Sequence, residues 1–329
     1  MSAKSNLLVL IASLMILPAM ILSSTIAAAA DRLVVTNGHP VGWDALVTTF
    51  GVRKGFFLAK GLDVEIVEMD TGAPMIQAIV SGSIDLGVGV SMPGFMGAAL
   101  KGAPLKMICA SFTGASDFVW YVRADSPIKS FKDITANTTV AYSSAGSSSQ
   151  IVSLALMKQA GVKGKSVATG SLPATLTQVM TGQVDVGYDG NGGMGVGEFQ
   201  RGDVRIIATG SDLESFRDQT VRGVVVTEAT LASRRDQLVR FLAAYQQAID
   251  WMSQDPQALQ WFADNAQTSV AEAKRVVDLI YPAGALRLGP VQHLDRTIAQ
   301  AVEFKRIPEP PTSAQIAKMF DDTLVPATN

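Results

Sequence analysis

Two segments of the chain, one hundred residues apart, carry the same phrase. VSGSIDLGVG (80–89) and MTGQVDVGYDG (180–190) align as hydroxyl, glycine, polar, β-branched, aspartate, aliphatic, glycine, so Gly82, Asp85 and Gly87 are answered by Gly182, Asp185 and Gly187. A glycine that stops a helix and is followed at once by a β-branched run is the joint of an α/β unit. A chain that writes this joint twice builds the same unit twice.

The flanking residues extend each copy in the same order. In the first, RLVVTNG reads as a strand, residues 43–60 as a helix closed by Gly61, and LDVEIVEM as a second strand. Pro74 then opens a helix that Gly82 ends before the strand IDLGVG. In the second, TTVAY, a helix over 147–159, Gly161, KSVATG, a helix near Pro173, Gly182 and VDVGY repeat the sequence of elements. Strands alternating with helices predict an α/β fold of two lobes, each a mostly parallel sheet flanked by helices.

Two β-branched runs outside the copies, within 117–134 and 221–231, are the expected crossings between lobes and define a two-strand hinge. The expected boundaries put lobe I at 31–122 and 219–329 and lobe II at 123–218. Beyond the second crossing the chain is helical: Leu238, Phe241, Leu242, Tyr245, Ile249 and Met252 fall at three- and four-residue spacing, a core-facing stripe.

Residues 1–30 stand apart. Lys4, an apolar run over 7–26 and the Ala27–Ala30 cluster form a secretory signal peptide, with cleavage expected after Ala29 or Ala30. Its removal takes away one lysine and no acid, leaving 26 basic against 29 acidic residues. That balance gives no reason to expect nucleic acid as a partner. The single cysteine, Cys109, lies in the apolar run LKMICASF and reads as a buried core thiol. No cysteine stands at the cleavage site to be lipidated, so a freely soluble periplasmic protein is expected.

In parallel α/β sheets ligands bind at the carboxyl ends of the strands. Five loops meet that rule: TNGHPVGW, MDTGAP, GVSMPG, YSSAGSSS and YDGNGGMG. The hydroxyl-rich YSSAGSSS leads from a strand into a helix, whose free N–H groups and dipole make an anion site without any basic residue. Ser147 or Ser148 could equally cap its own helix. GVSMPG, with Ser91, is the matching position in the first lobe.

Catalytic readings are weaker. Gly190, Gly192 and Gly195 satisfy G-x-G-x-x-G, but no crossover helix fits before the next strand. A serine hydrolase would need Ser91 or a loop serine with His39, and the chain has two histidines in all. No H-E-x-x-H and no cysteine pair suggest a metal. No cofactor, metal or catalytic residue is expected.

Taken together and in order, GFFLAKGLDVEIV, IQAIVSGSIDLGVG, ADSPIKSFKDI, VAYSSAGSSSQIVSLALMKQAGV and TLTQVMTGQVDVGY resemble the periplasmic substrate-binding proteins of ABC transporters in the nitrate, sulfonate, taurine and thiamine-precursor group. The resemblance implies a type II periplasmic binding fold, a monomer that closes on one small molecule and delivers it to permease subunits in the inner membrane. Carried across by motif, the ligand contacts are His39, Trp43, Thr71, Gly72, Ser91, Ser144, Gly146, Ser147, Ser148, Tyr188, Asp189 and Asn191. The chain departs from the family at YDGNGGMGVGE, where many members have an aromatic-acid-proline turn. A fungal branch of enzymes uses a cysteine-rich motif that Cys109 alone cannot supply. The expected ligand is an organic anion or zwitterion of sulfonate or taurine type. A pyrimidine-type heterocycle, contacted by Asp189 and Asn191, or nitrate is the alternative.

Overall fold

Both copies of the repeated phrase end a helix and start a strand. In the computed structural model, which describes residues 30–37, 42–69, 72–190, 201–282 and 284–325, Gly82 and Gly182 take φ of 75° and 76°. Only glycine adopts this left-handed turn cheaply, so each stops the helix before it. The second glycine of each phrase serves packing instead. A Cβ on Gly87 would stand 2.7 Å from Ile79 Cδ1, and one on Gly187 2.6 Å from the Tyr121 ring, so bare backbone is what admits these neighbours.

The aspartate between the glycines is structural in both copies. Asp85 accepts from the backbone N–H of Val34 at 2.8 Å and from Arg234 at 3.2 Å. Asp185 accepts from the N–H and hydroxyl of Thr139, both at 2.7 Å. Each carboxylate therefore pins the strand beside it, and neither lines the cavity described below.

Lobe I is built from β1 (Asp31–Thr36), α1 (Leu46–Arg53), β2 (Leu62–Ile66), α2 (Ala73–Val80), β3 (Leu86–Ser91), α3 (Met92–Leu100) and β4 (Leu105–Thr113). The chain then crosses at 114–117, and β5 (Phe118–Arg123), β6 (Thr139–Tyr142), α4 (Ser148–Ala160), β7 (Lys165–Ala168), α5 (Leu172–Met180), β8 (Gly187–Gly190) and β9 (Val204–Thr209) build lobe II. It returns as β10 (Thr220–Thr227) and continues through α6 (Glu228–Ser233), α7 (Arg235–Gln254), α8 (Pro256–Asn265), α9 (Val270–Ile280), β11 (Leu286–Gly289), α10 (Leu294–Glu303) and α11 (Ser313–Met319). The predicted helix over 43–60 is shorter than expected, since the chain turns after Arg53.

Strand pairing corrects two expectations. The sheets are mixed rather than mostly parallel: the six-stranded order is β11-β4-β10-β3-β1-β2, with β10 antiparallel to both neighbours. In lobe II, β5 runs antiparallel between β8 and β9, while β6 and β7 pair in parallel and a bridge from Val140 to Val186 joins the two groups. The boundary expected after residue 122 also falls too late, because all of β5 belongs to the second sheet. The runs read as hinge crossings contribute the interior strands β5 and β10, whose near-continuous burial explains their apolar composition.

Helices cover both faces of the lobe I sheet. On one face Leu46 and Phe50 of α1 join the α7 stripe, in which Phe57 stacks on Phe241 with ring centroids 5.0 Å apart. On the other, Met75 and Ile79 of α2 pack with Phe95 and Met96 of α3. Each such buried side chain contributes about 1.5–3 kcal/mol. Among the described residues no helix is long and apolar enough to cross a membrane.

Candidate functional site

Because α3, α4 and α5 each start at the carboxyl end of a strand, their N-termini meet where the lobes meet. There they enclose a cavity of about 70 Å³. Ser147 caps α4 by accepting from Gln150 N–H at 3.2 Å, and Ser171 caps α5 by accepting from Ala174 N–H at 3.4 Å. Both also line the cavity, as do Ser143, Ser148 and Ser149, so capping and cavity lining are roles of the same hydroxyls. Ser91, at the start of α3, supplies the sixth serine. Tyr188, held by a hydrogen bond from its hydroxyl to the Gly170 carbonyl at 3.0 Å, forms part of the wall.

The lobes touch around this cavity. Ser91 of lobe I donates to the Gly146 carbonyl of lobe II at 2.9 Å, and Ser148 donates back to the Val221 carbonyl at 3.2 Å. Arg306 reaches from lobe I to Gln150 at 2.8 Å. A Cβ on Gly94 would come within 3.1 Å of the Gly146 oxygen, and one on Gly72 would collide with Ser144 Oγ. The cavity is thus a closed cleft.

Beneath it lies a charged cluster that belongs to lobe I except for Asp117, which sits on the first crossing. Arg222, on β10, pairs with Asp117 at 2.7 Å and Asp44 at 3.3 Å, and its guanidinium lies 4.2 Å from the Phe112 ring centroid. Tyr281 donates to Asp44 at 3.0 Å. Burial pushes the Asp117 carboxyl up to about 6; Arg222 opposes this and the charge of Asp44 adds to it. Burial also works against the charge on Arg222, but Asp117 and Asp44 outweigh it and raise its pKa.

Of the expected contacts, Ser91, Ser147, Ser148 and Tyr188 line the cavity. Gly72, Ser144 and Gly146 lie at the meeting of the lobes beside it. Trp43 does not reach it: the turn before α1 buries the indole against Phe262, with centroids 5.4 Å apart, and presents Asp44 instead. Asp189 is buried but, alternating with Tyr188 and Gly190 along β8, is not among the lining residues. His39, Thr71 and Asn191 lie outside the described residues.

Sequence reasoning included Asn37 in a site loop without singling it out, and missed Asp44, Ser171 and Arg222. Two signals were available. An arginine inside a β-branched run is a charge committed to the interior, and the hundred-residue offset maps the loop at 71–74 onto 171–174. Among the described residues no cluster of three or more His, Cys, Asp or Glu could hold a metal.

Two mixed sheets, each carrying an antiparallel strand delivered by the crossing between them, and a closed cleft at their carboxyl edges define the two-lobed periplasmic binding protein fold. Residues 48–259 match the NMT1/THI5-like family model, and the chain belongs to that family. Among solved structures it is similar to the periplasmic aliphatic sulphonate-binding protein SsuA of Escherichia coli, at 20% identity and TM-score 0.69 over 92% of this chain and 95% of that one. The periplasmic nitrate-binding protein NrtA of Synechocystis PCC 6803 is similar at 13% identity and TM-score 0.68, over 90% and 87%. The desulfurization enzyme DSZB shares the fold at 17% identity and TM-score 0.59, over 89% and 97%. No curated protein sequence is a significant match.

Proposed function

We propose that the chain is a periplasmic solute receptor that closes on a small organic anion of sulfonate type and hands it to an ABC importer, without catalysis of its own. The observation that carries this reading is the cavity itself: the N-termini of α4 and α5 and six serines converge on one closed space. Helix N-termini favour anions through free N–H groups and a dipole equivalent to about half a positive charge. The E. coli aliphatic sulphonate-binding protein and the nitrate-binding protein, both similar in fold, are named for anionic ligands, one organic and one inorganic. The signal-like residues 1–30 support export to the periplasm, and the family resemblance supports permease subunits as partners and a monomeric receptor.

Size favours a short anion over a ring. The cavity of about 70 Å³ is roughly half the ~150 Å³ that admits benzene in an engineered protein core. A pyrimidine would need a wider cleft, whereas nitrate fits and remains the alternative. Against a hydrolase, the Ser91 hydroxyl is buried and its proton is donated to the Gly146 carbonyl, the opposite of an activated nucleophile. DSZB supports keeping turnover assays in the test.

Thermal unfolding with sulfonates, nitrate, carboxylates and pyrimidines tests the reading. A ligand at a hundred times its Kd adds about 2.7 kcal/mol of stability. A shift with short anions is expected; a shift with pyrimidines alone, or hydrolysis of an ester panel, would overturn it.

A further inference from the structure

Outside the cleft a larger hollow runs between α2 and α3, with a volume of about 500 Å³ against about 70 Å³ for the cleft cavity. The two share no lining residue. The walls of this groove are apolar. Ile76 and Val80, four residues apart on one side of α2, face Pro93, Gly97 and Ala98 of α3. Val80 is 38% exposed, and bare backbone at Gly97 keeps the floor open: the nearest atom to a Cβ there would be the Arg306 oxygen, 3.6 Å away.

The rim is cationic. Lys101 stands at the end of α3, Lys305 and Arg306 follow α10, and no acidic residue lines the groove. The mature chain carries more acids than bases, so three cations without an acid do not reflect its average surface. Arg306 is held by the Phe304 carbonyl at 2.9 Å and Gln150 at 2.8 Å. Among the described residues the side chains of Lys101 and Lys305 make no hydrogen bond or ion pair.

Lys305 is also out of place by its backbone, with φ of 56°. Gly82, Gly102 and Gly182 fill the same left-handed position after α2, α3 and α5, where glycine is ordinary. After α10 a lysine is kept there against its conformational preference, beside the groove.

We propose that the groove is a second ligand site, which takes a free single-chain anion: an aliphatic tail between α2 and α3 and a terminal carboxylate or phosphate among Lys101, Lys305 and Arg306. Its volume is about three times the ~150 Å³ that admits benzene in a protein core, room for a chain of about ten carbons. The site lies apart from the cleft and stands whether or not the cleft binds an anion.

Calorimetric titration of the mature protein with decanoate and decyl phosphate, both below their micellar concentrations, tests this against decyltrimethylammonium and acetate. At least one of the two anionic amphiphiles should bind tenfold or more tightly than either control. Gly97→Leu, which fills the floor, and Lys101→Gln with Lys305→Gly, which strips the rim, should each weaken that binding at least fivefold. None of these residues lines the cleft cavity. Lys305→Gly alone should raise the melting temperature while it lowers affinity, a split that a lysine kept for the fold would not give. The lysines are exposed, so their variants decide the matter if Gly97→Leu fails to fold. Equal binding of decyltrimethylammonium, or affinities unchanged in every variant, would overturn the site. Binding of neither amphiphile also overturns it, including where the protein instead binds vesicles of anionic phospholipid.

Discussion

The two lobes share a strand order but offer the cavity different chemistry. Lobe I, with β10 inserted between β3 and β4, brings Arg222, Asp44 and Asn37; lobe II, with β5 inserted between β8 and β9, brings hydroxyls and helix N-termini. The scaffold residues of the repeat, Asp85 and Asp185 with their flanking glycines, do the same work in both. What differs lies a few residues further along each strand and in the inserted strands. Duplication of the framework therefore leaves the ligand-facing positions free to diverge, and an asymmetric cavity follows from two like frames.

The most damaging way to break the comparison is to remove the lobe I charge that lobe II lacks. Arg222→Met strands Asp117 and Asp44 in the interior, and loss of one partner of a buried ion cluster costs about 3–5 kcal/mol. Urea unfolding should report that loss. The equivalence of the repeat is tested next by Asp85→Ala and Asp185→Ala. Asp85→Ala leaves the part-buried Val34 N–H unmet, for about 1–3 kcal/mol, and Asp185→Ala, whose bonds to Thr139 are exposed, loses about 0.5–1.5 kcal/mol, while ligand affinity in titration stays at the wild-type value. A drop in affinity with unchanged stability would return these carboxylates to the site.

Closure of one lobe on the other is sharpened by Gly94→Leu. The added side chain must sit where α3 meets the Gly146 carbonyl, so the lobes cannot close fully. Affinity should fall at least tenfold, about 1.4 kcal/mol, with the unliganded melting temperature little changed. The smallest effect is one of pH. Asp117 titrates at about 6 in the fold, above its ordinary value of 3.8, so the unfolded chain releases this proton first. Its contribution to stability is present below about pH 4 and lost as pH rises through 6. Stability curves of wild type and Asp117→Asn between pH 4 and 7 should differ in slope with that sign.

The repeat, the order of elements within each copy and the serine loop before α4 were legible because they are local: glycine stops, proline starts and caps act within a few residues. Ser147 could be picked out because a serine between a strand and a helix is the expected N-cap, which the bond from Gln150 N–H makes it. The placement of β5 and β10 was not legible, since β10 pairs with β3 and β4 more than a hundred residues before it. A run of valines reveals burial but not which sheet buries it. Arg222 was lost for the same reason: its meaning depends on Asp44 and Asp117, neither of them a sequence neighbour. Trp43 and Asp44 show the limit at finer grain, because one turn sends adjacent side chains to the core and to the cavity.

The inserted strand β10 also sets an order on the birth of the protein. Until residue 220 has left the ribosome, β3 and β4 have no strand between them, and β11 comes later still. The emerging first lobe thus carries unpaired sheet edges while the whole of the second lobe is being synthesised. The second lobe, whose strands all come from one continuous stretch, 118–209, has no such debt and can assemble first. In a chain of this design the edges of the first-lobe sheet that β10 and β11 will fill stay open until the last third has been made.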